Sequence, residues 1–356
     1  MAAPDAPTSS DARADAARGR LRRWAGVLAA NVVGVVLVLL LLEGAVRVLR
    51  PDVGPSGTDA ALFLDDAFVD AEGATVGLRP GAEGTSNGAP VHVDDDGFHT
   101  YVGNATADSA EAWLWLGDSV LFGIGVAADS TVAGRLAARQ DTARALNPAV
   151  IGWGPGDYRR RLEAALADGL RPARVTVLWC LNDALPPRPL VPTETPALAS
   201  AWQAATAWLN VHSRLYRLTK DAALDRPARY FEHDRRLYEP LAAASASRPA
   251  APVDRALAEV WALRDTLGAR GVPLDVVVVP YEPQLRPGGS RAPQRALVPL
   301  LRARGVPTLD LADAFAEAAD ADPGALYLWS DGIHLSAHGH AVAADAITRW
   351  RPTRDP

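Results

Sequence analysis

Ser119 closes the tripeptide Gly-Asp-Ser, which follows directly on the apolar run AWLWL at 112–116. A serine hydroxyl is a poor nucleophile near neutral pH until a base takes its proton, so its chemistry depends on a histidine and an acid brought to it from elsewhere. Near the C-terminus, in SDGIHLSAHGHAVAADAI, Asp331 and His334 sit three apart on a turn just before a helical pattern. A carboxylate that near in sequence can turn back onto the imidazole, fix its tautomer and stabilise the imidazolium formed when it takes a proton. Asn182, at the end of VTVLWCLND, offers a side-chain amide. Gly152, in LNPAVIGWGPG, has no side chain to block a ligand's approach to its backbone N–H. Together these residue types supply a nucleophile, a base, an orienting acid and donors for an oxyanion, the set that acyl transfer requires.

The elements that must position them follow from periodicity. Apolar runs over 113–117, 146–151, 174–181, 274–280 and 307–311 read as buried strands. Between them lie the helical patterns DYRRRLEAALADGL, DRALAEVWALRDTLGARG and RALVPLLRARG. Alternating apolar strands and helices predict an α/β fold, a parallel sheet covered by helices on both faces. Ligands in such folds bind outside the carboxyl ends of the strands, where Ser119, Gly152 and Asn182 would all stand. One insertion, at about 184–251, breaks the spacing; it begins with the proline-rich LPPRPLVPTETP and continues as amphipathic helices. Leaving from a strand's ligand-binding end, it forms either a substrate wall or a packing element over the sheet edge. Residues 51–110, rich in Gly, Asp and Thr, read as lead-in loops and short strands.

With all four blocks in order over roughly 110–350, the chain resembles the SGNH/GDSL hydrolase superfamily. VGLRPG, DDDGFHT and LLEGAVRVLRP also resemble the lead-in and anchor exit of its membrane-anchored bacterial members. The resemblance implies a flavodoxin-like three-layer α/β/α sandwich over 111–356 and serine-dependent ester chemistry without metal or organic cofactor. It makes Ser119 the nucleophile, His334 the general base and Asp331 its partner, with the Ser119 N–H, Gly152 and Asn182 as the oxyanion hole. Cys180 stands where many members have glycine, and Val120 follows the serine where the name-giving motif has leucine.

Other polar residues near these blocks have plainer roles. Asp118 is expected to hold its turn through backbone N–H groups, and Asp183 to cap a helix. His338 and His340 have no evident third ligand, so no metal site is expected. Cys180 reads as a small core residue, and Trp153 either packs in the core or stacks on a sugar ring.

The N-terminus adds a location. Trp24–Leu42 carries one polar side chain, Asn31, and no charge over nineteen residues. At about 1.5 Å per residue that run nearly crosses a hydrocarbon core of about 30 Å, so 24–46 reads as a transmembrane anchor. Arg13, Arg18, Arg20, Arg22 and Arg23 precede it and only Arg47 and Arg50 closely follow, which assigns 1–23 to the cytoplasm and the rest of the chain to the other side. Residues 1–20, rich in Ala, Asp, Ser and Arg, are expected to be disordered. A net charge of -6 gives no basic footprint for nucleic acid, and the single cysteine can form no internal disulfide. Of 36 basic residues only Lys220 is a lysine, as in the products of GC-rich bacterial genomes. The expected activity is an extracytoplasmic ester hydrolase acting on an O-acylated envelope polysaccharide or a lipid. Two alternatives share these residues: an O-acyltransferase working with a membrane-bound acyl donor, and a non-catalytic envelope binding protein.

Overall fold

The computed structural model describes residues 9–64, 77–104, 111–139, 143–185, 197–222, 225–242, 251–320 and 322–350. A short antiparallel hairpin, β1 (Glu83–Ser86) and β2 (Ala89–His92), precedes the main sheet. The main sheet contains β3 (Glu111–Leu116), β4 (Ala143–Leu146), β5 (Pro172–Trp179), β6 (Leu274–Val278) and β7 (Thr308–Asp310). All four pairings are parallel and the strand order is β4-β3-β5-β6-β7. This is the doubly wound, flavodoxin-like order, in which the chain reverses direction across the sheet between its first and third strands, here β3 and β5. Every residue of β6 is buried, as a strand covered on both faces requires.

Helices Pro155–Ala167 and Pro252–Gly268 pack together on one face, and Val132–Ala137, Ala312–Ala319 and Ala337–Trp350 pack on the other. Their ends are set by local chemistry. Pro155 opens the first of them, and the Asp157 carboxylate accepts the Gly154 N–H at 2.9 Å; Pro252 and Asp254 repeat the device, with the Ala251 N–H at 2.6 Å.

The second strand departs from its expected place. It covers Ala143–Leu146, and the apolar stretch that follows is a buried loop. Asn147 captures that loop: its Oδ1 accepts the Ala149 N–H at 2.9 Å, and its Nδ2 donates to the Tyr101 hydroxyl at 2.7 Å and to the Leu121 carbonyl at 3.1 Å. Pro148 has no N–H to give to a ladder. The side chain thus replaces strand pairing for groups that the apolar pattern alone assigned to a sheet.

A single helix, Ser9–Leu49, forms the N-terminal element. Its stretch Arg22–Leu49 is long and apolar enough to cross a membrane, and none of its most apolar window is buried inside the protein. The Arg-rich segment expected to be disordered is therefore helical from Ser9 onward. Alanine and arginine are strong helix formers, and a helix already nucleated by the apolar run extends through them cheaply.

Candidate active site

Ser119, Asn182, Asp331 and His334 are joined by hydrogen bonds at the carboxyl edge of the sheet, and Gly152 stands in the loop after β4. Ser119 opens a one-turn helix, Ser119–Phe122, directly after β3. Asp118 caps that turn, its Oδ1 accepting the Val120 N–H at 2.9 Å, and Gly123 ends it in the left-handed region at φ 82°. A Cβ at residue 123 would overlap the Thr131 side chain, so only glycine fits there.

Asp331 and His334 come from the turn before helix Ala337–Trp350. The Asp331 Oδ1 accepts the backbone N–H of Ile333 at 3.0 Å and of His334 at 2.7 Å. Its two oxygens each lie 2.9 Å from His334 Nδ1. Both oxygens accept only, so Nδ1 carries the proton and Nε2 is left as an acceptor. His334 Nε2 lies 2.9 Å from Ser119 Oγ. Serine, imidazole and carboxylate thus form one continuous hydrogen-bonded chain.

The electrostatics of the pair oppose burial. Burial disfavours the His334 imidazolium, but the Asp331 charge and hydrogen bond outweigh it, and the Asp118 charge adds to them, so the imidazole pKa is raised above its ordinary value. Burial likewise pushes the Asp331 carboxyl up, yet the His334 charge, its hydrogen bonds and the Ile333 N–H bring it below the usual carboxylate range.

Asn182 lies in the turn Leu181–Ala184 after β5, across the topological switch from Ser119. Its Nδ2 donates to Asp118 Oδ2 at 2.9 Å. Asp118 therefore does more than hold its turn, because it also fixes which way the Asn182 amide points. The same carboxylate oxygen lies 3.3 Å from Ser119 Oγ, a longer contact than the one to His334. Gly152 stands in the loop after β4 at φ 86°, exposed, with open space where a Cβ would be, and its N–H has no partner among the described residues. The Gly154 N–H is engaged by Asp157.

Two residues of this site were not evident from sequence. Tyr281, fully buried just past β6, donates to Asp234 Oδ2 at 2.7 Å and, more weakly, to Asn182 Oδ1 at 3.3 Å. Burial and then the Asp234 charge hold the Tyr281 hydroxyl well above its ordinary pKa, so it stays a donor. Asp234 comes from helix Arg226–Arg235 of the insertion and also contacts His233 Nδ1 at 2.7 Å. Tyr281 obeys the same rule as Ser119 and Asn182, a polar group past the end of an apolar strand, and that signal could have found it. Nothing in the sequence connects Asp234 to the sheet.

The remaining polar groups are structural. Asp183 accepts the Cys180 N–H at 3.1 Å and the Tyr158 hydroxyl at 2.8 Å; burial first, and the neighbouring Asp118 charge next, hold its carboxyl well above the usual range. Cys180 is fully buried, and burial pushes its thiol up. Buried His340 is held neutral, its pKa lowered to about 3 by burial, while its Nδ1 accepts the Val132 N–H at 3.2 Å. Trp153 is buried at 4% exposure, which places it in the core. The proline-rich stretch 186–196 lies outside the described residues.

No family model and no curated protein matches the chain. Among solved structures it is similar to a catalytic mutant of an acetylxylan esterase from Geobacillus stearothermophilus, at 16% identity and TM-score 0.42 over 70% of this chain and 99% of that one. It is also similar to a member of the lipolytic protein G-D-S-L family from Veillonella parvula, at 10% identity and TM-score 0.41 over 69% and 100% of the two chains. A third is the psychrotrophic esterase EstA from Pseudoalteromonas sp., at 13% identity and TM-score 0.36 over 67% and 95%. Overlaps this loose carry no argument about chemistry, which is read from the hydrogen bonds of the site itself.

Proposed function

We propose that the chain is a membrane-anchored serine ester hydrolase working through an acyl-enzyme. The observation that carries this reading is the unbroken chain from Ser119 Oγ through His334 to Asp331 at the switch point of the sheet. In the first step the Ser119 Oγ–H bond breaks, its proton passes to His334 Nε2, and Oγ bonds to the ester carbonyl carbon. The carbonyl oxygen takes the negative charge, facing the Ser119 N–H, the Gly152 N–H and the second hydrogen of the Asn182 amide, which Asp118 keeps turned toward the site. The carbonyl then re-forms as the ester C–O bond breaks, and His334 returns the proton to the departing alcohol. Water, deprotonated by the same imidazole, releases the acid from Ser119 by the reverse path.

The arginine excess before the apolar helix assigns the catalytic domain to the outer side of the cytoplasmic membrane. Only Arg47 and Arg50 stand close to the other end of the apolar run, so the excess of arginines lies on the N-terminal side. An ester of the envelope, an acylated polysaccharide or a lipid, is the substrate class that fits this location. The test is Ser119→Ala in the full-length protein. Both ester turnover and covalent labelling by a fluorophosphonate disappear on this reading, whereas near-native turnover in the variant refutes it.

A further inference from the structure

We infer that the insertion carries a second membrane-contacting element: the helix Ala197–His212 lies in the interface of the same leaflet that the anchor leaves. The inference rests on the reading of the N-terminal helix as a membrane span.

The first observation is where this helix is tied. Glu43 is the first charged residue after the apolar run, so it stands at the level where the anchor leaves the hydrocarbon. Its carboxylate accepts the Ser213 hydroxyl and the Leu215 N–H at 2.9 Å on Oε2, and the Arg214 N–H at 3.0 Å on Oε1. These are the opening N–H groups of the helix Arg214–Ala222, so the anchor itself supplies the cap for an element far along the chain. Arg47, one turn further along the anchor, donates to the His212 carbonyl at 2.7 Å. The C-terminal end of Ala197–His212 is therefore pinned, by main-chain and side-chain bonds, to the point where the anchor leaves the bilayer.

The second observation is what the pinned helix presents. ALASAWQAATAWLNVH contains no Asp, Glu, Lys or Arg, and over sixteen residues it spans about 24 Å. Trp202 is 71% exposed, Trp208 59% and Val211 46%. With 100° per residue these three point in different directions, and Gln203, Ala204 and Ala205 are exposed between them, so among the described residues the uncovered surface takes in much of the helix circumference, while Leu209 and Asn210 are half-buried toward the following helix. An uncharged helix with this much of its surface bare is not a stable arrangement in water; its ordinary environments are a protein core or a membrane. The Glu43 tie decides between them, because it holds this helix within reach of the bilayer surface. Two tryptophans, amphipathic rings that favour the headgroup level, fit that surface. The adjoining helix brings Arg214, Arg217 and Lys220 to the same boundary.

The experiment uses the full-length protein in nanodiscs of phosphatidylethanolamine and phosphatidylglycerol. Trp202→Cys, Trp208→Cys and, within the anchor, Val35→Cys are each labelled with an environment-sensitive fluorophore. Cys180 is fully buried and stays unlabelled, and thermal melting verifies that each variant folds as the parent does. Nitroxide lipids with the quencher near the headgroups for 202 and 208 and deep in the acyl chains for 35, and iodide in the water, then report each label's surroundings. The expected result is several-fold quenching by nitroxide lipid and little by iodide at 202 and 208, with Val35 shielded from iodide and quenched by lipid. Quenching of 202 and 208 by iodide, with Val35 still in lipid, overturns the inference and leaves the anchor intact. Protection of 202 and 208 from both quenchers places a protein partner or a second copy there and also overturns it. A Val35 label open to iodide refutes the anchor, and the inference falls with it.

Discussion

Asp331→Asn tests the proposed base more sharply than deletion of the base itself, because the change keeps the shape of the side chain and removes only its charge. In the folded enzyme the carboxylate oxygens lie 2.9 Å from His334 Nδ1, and the His334 side chain is 20% exposed. With charge centres about 4 Å apart and an effective dielectric near 20, the imidazolium formed during acyl transfer loses about 4 kcal/mol of stabilisation. That corresponds to roughly three decades of rate. A further loss follows if the new amide NH₂ faces Nδ1, since it then holds the proton on the nitrogen that must accept one from Ser119; the comparable change in a serine protease costs about 10⁴. The acid limb moves as well. In the parent, burial lowers the His334 pKa and Asp331 more than offsets it, so activity falls on acidification through a pKa above the ordinary histidine value of about 6.5. Without the Asp331 charge the burial penalty remains, opposed only by Asp118, and the limb shifts to lower pH. The assay is kcat/KM for a soluble aryl ester from about pH 4 to 9, a window chosen to bracket the ordinary histidine pKa. A variant within tenfold of the parent, with its acid limb in the same place, refutes the role given to Asp331.

Asn182→Ala removes an amide that acts on the developing oxyanion, so it lowers kcat by about 10²–10³ with a far smaller effect on KM. Tyr281→Phe leaves the Asp118–Asn182 bond in place but strips the buried Asp234 of a donor; it costs about 1–3 kcal/mol of stability in chemical denaturation, and less activity than Asn182→Ala. An activity loss as large as that of Asn182→Ala would show that Asp118 alone does not orient the amide. Gly332→Ala places a Cβ at φ 77° and against Pro227 of the insertion, so it destabilises by at least about 1–3 kcal/mol and misplaces the Asp331–His334 turn. Unchanged melting and activity in that variant would mean that the turn yields without strain.

How much of this was legible in the sequence depends on the range of the interaction concerned. The runs that became β3, β5, β6 and β7 are apolar because both faces of a parallel sheet are covered, and that burial is written locally. Ser119 and Asn182 were visible because each sits immediately past such a strand, and the Asp331–His334 turn because it stands just before the last helical pattern. The strand expected at 146–151 failed for an equally local reason in competition: the Asn147 side chain supplies the bonds that a ladder would otherwise provide. The glycine at 332 looked like any turn glycine, and its demand for space is set by Pro227, over a hundred positions earlier in the chain.

The insertion marks where local reading ends: its described part packs over the sheet edge, one of the two roles the spacing suggested, and its contacts reach further than that edge. Helix Arg226–Arg235 reaches both halves of the site: Asp234 meets Tyr281 beside the Asn182 amide, and Pro227 fits against Gly332 between Asp331 and His334. Tyr238, a few residues on, accepts the Trp179 indole N–H at 2.9 Å and donates to the Leu181 carbonyl at 2.9 Å, gripping the end of β5 itself. Upstream, Ser213 and Arg214 bind Glu43 of the N-terminal helix. One segment therefore links the end of the apolar N-terminal helix to the turn bearing Asn182 and to the turn bearing Asp331 and His334. Displacing it should disturb the two turns together, so a substitution at Pro227 that spares the fold is expected to lower fluorophosphonate reactivity and to raise the temperature dependence of turnover in parallel. Loss of turnover with full labelling would confine the insertion to substrate contact and sever it from the catalytic frame.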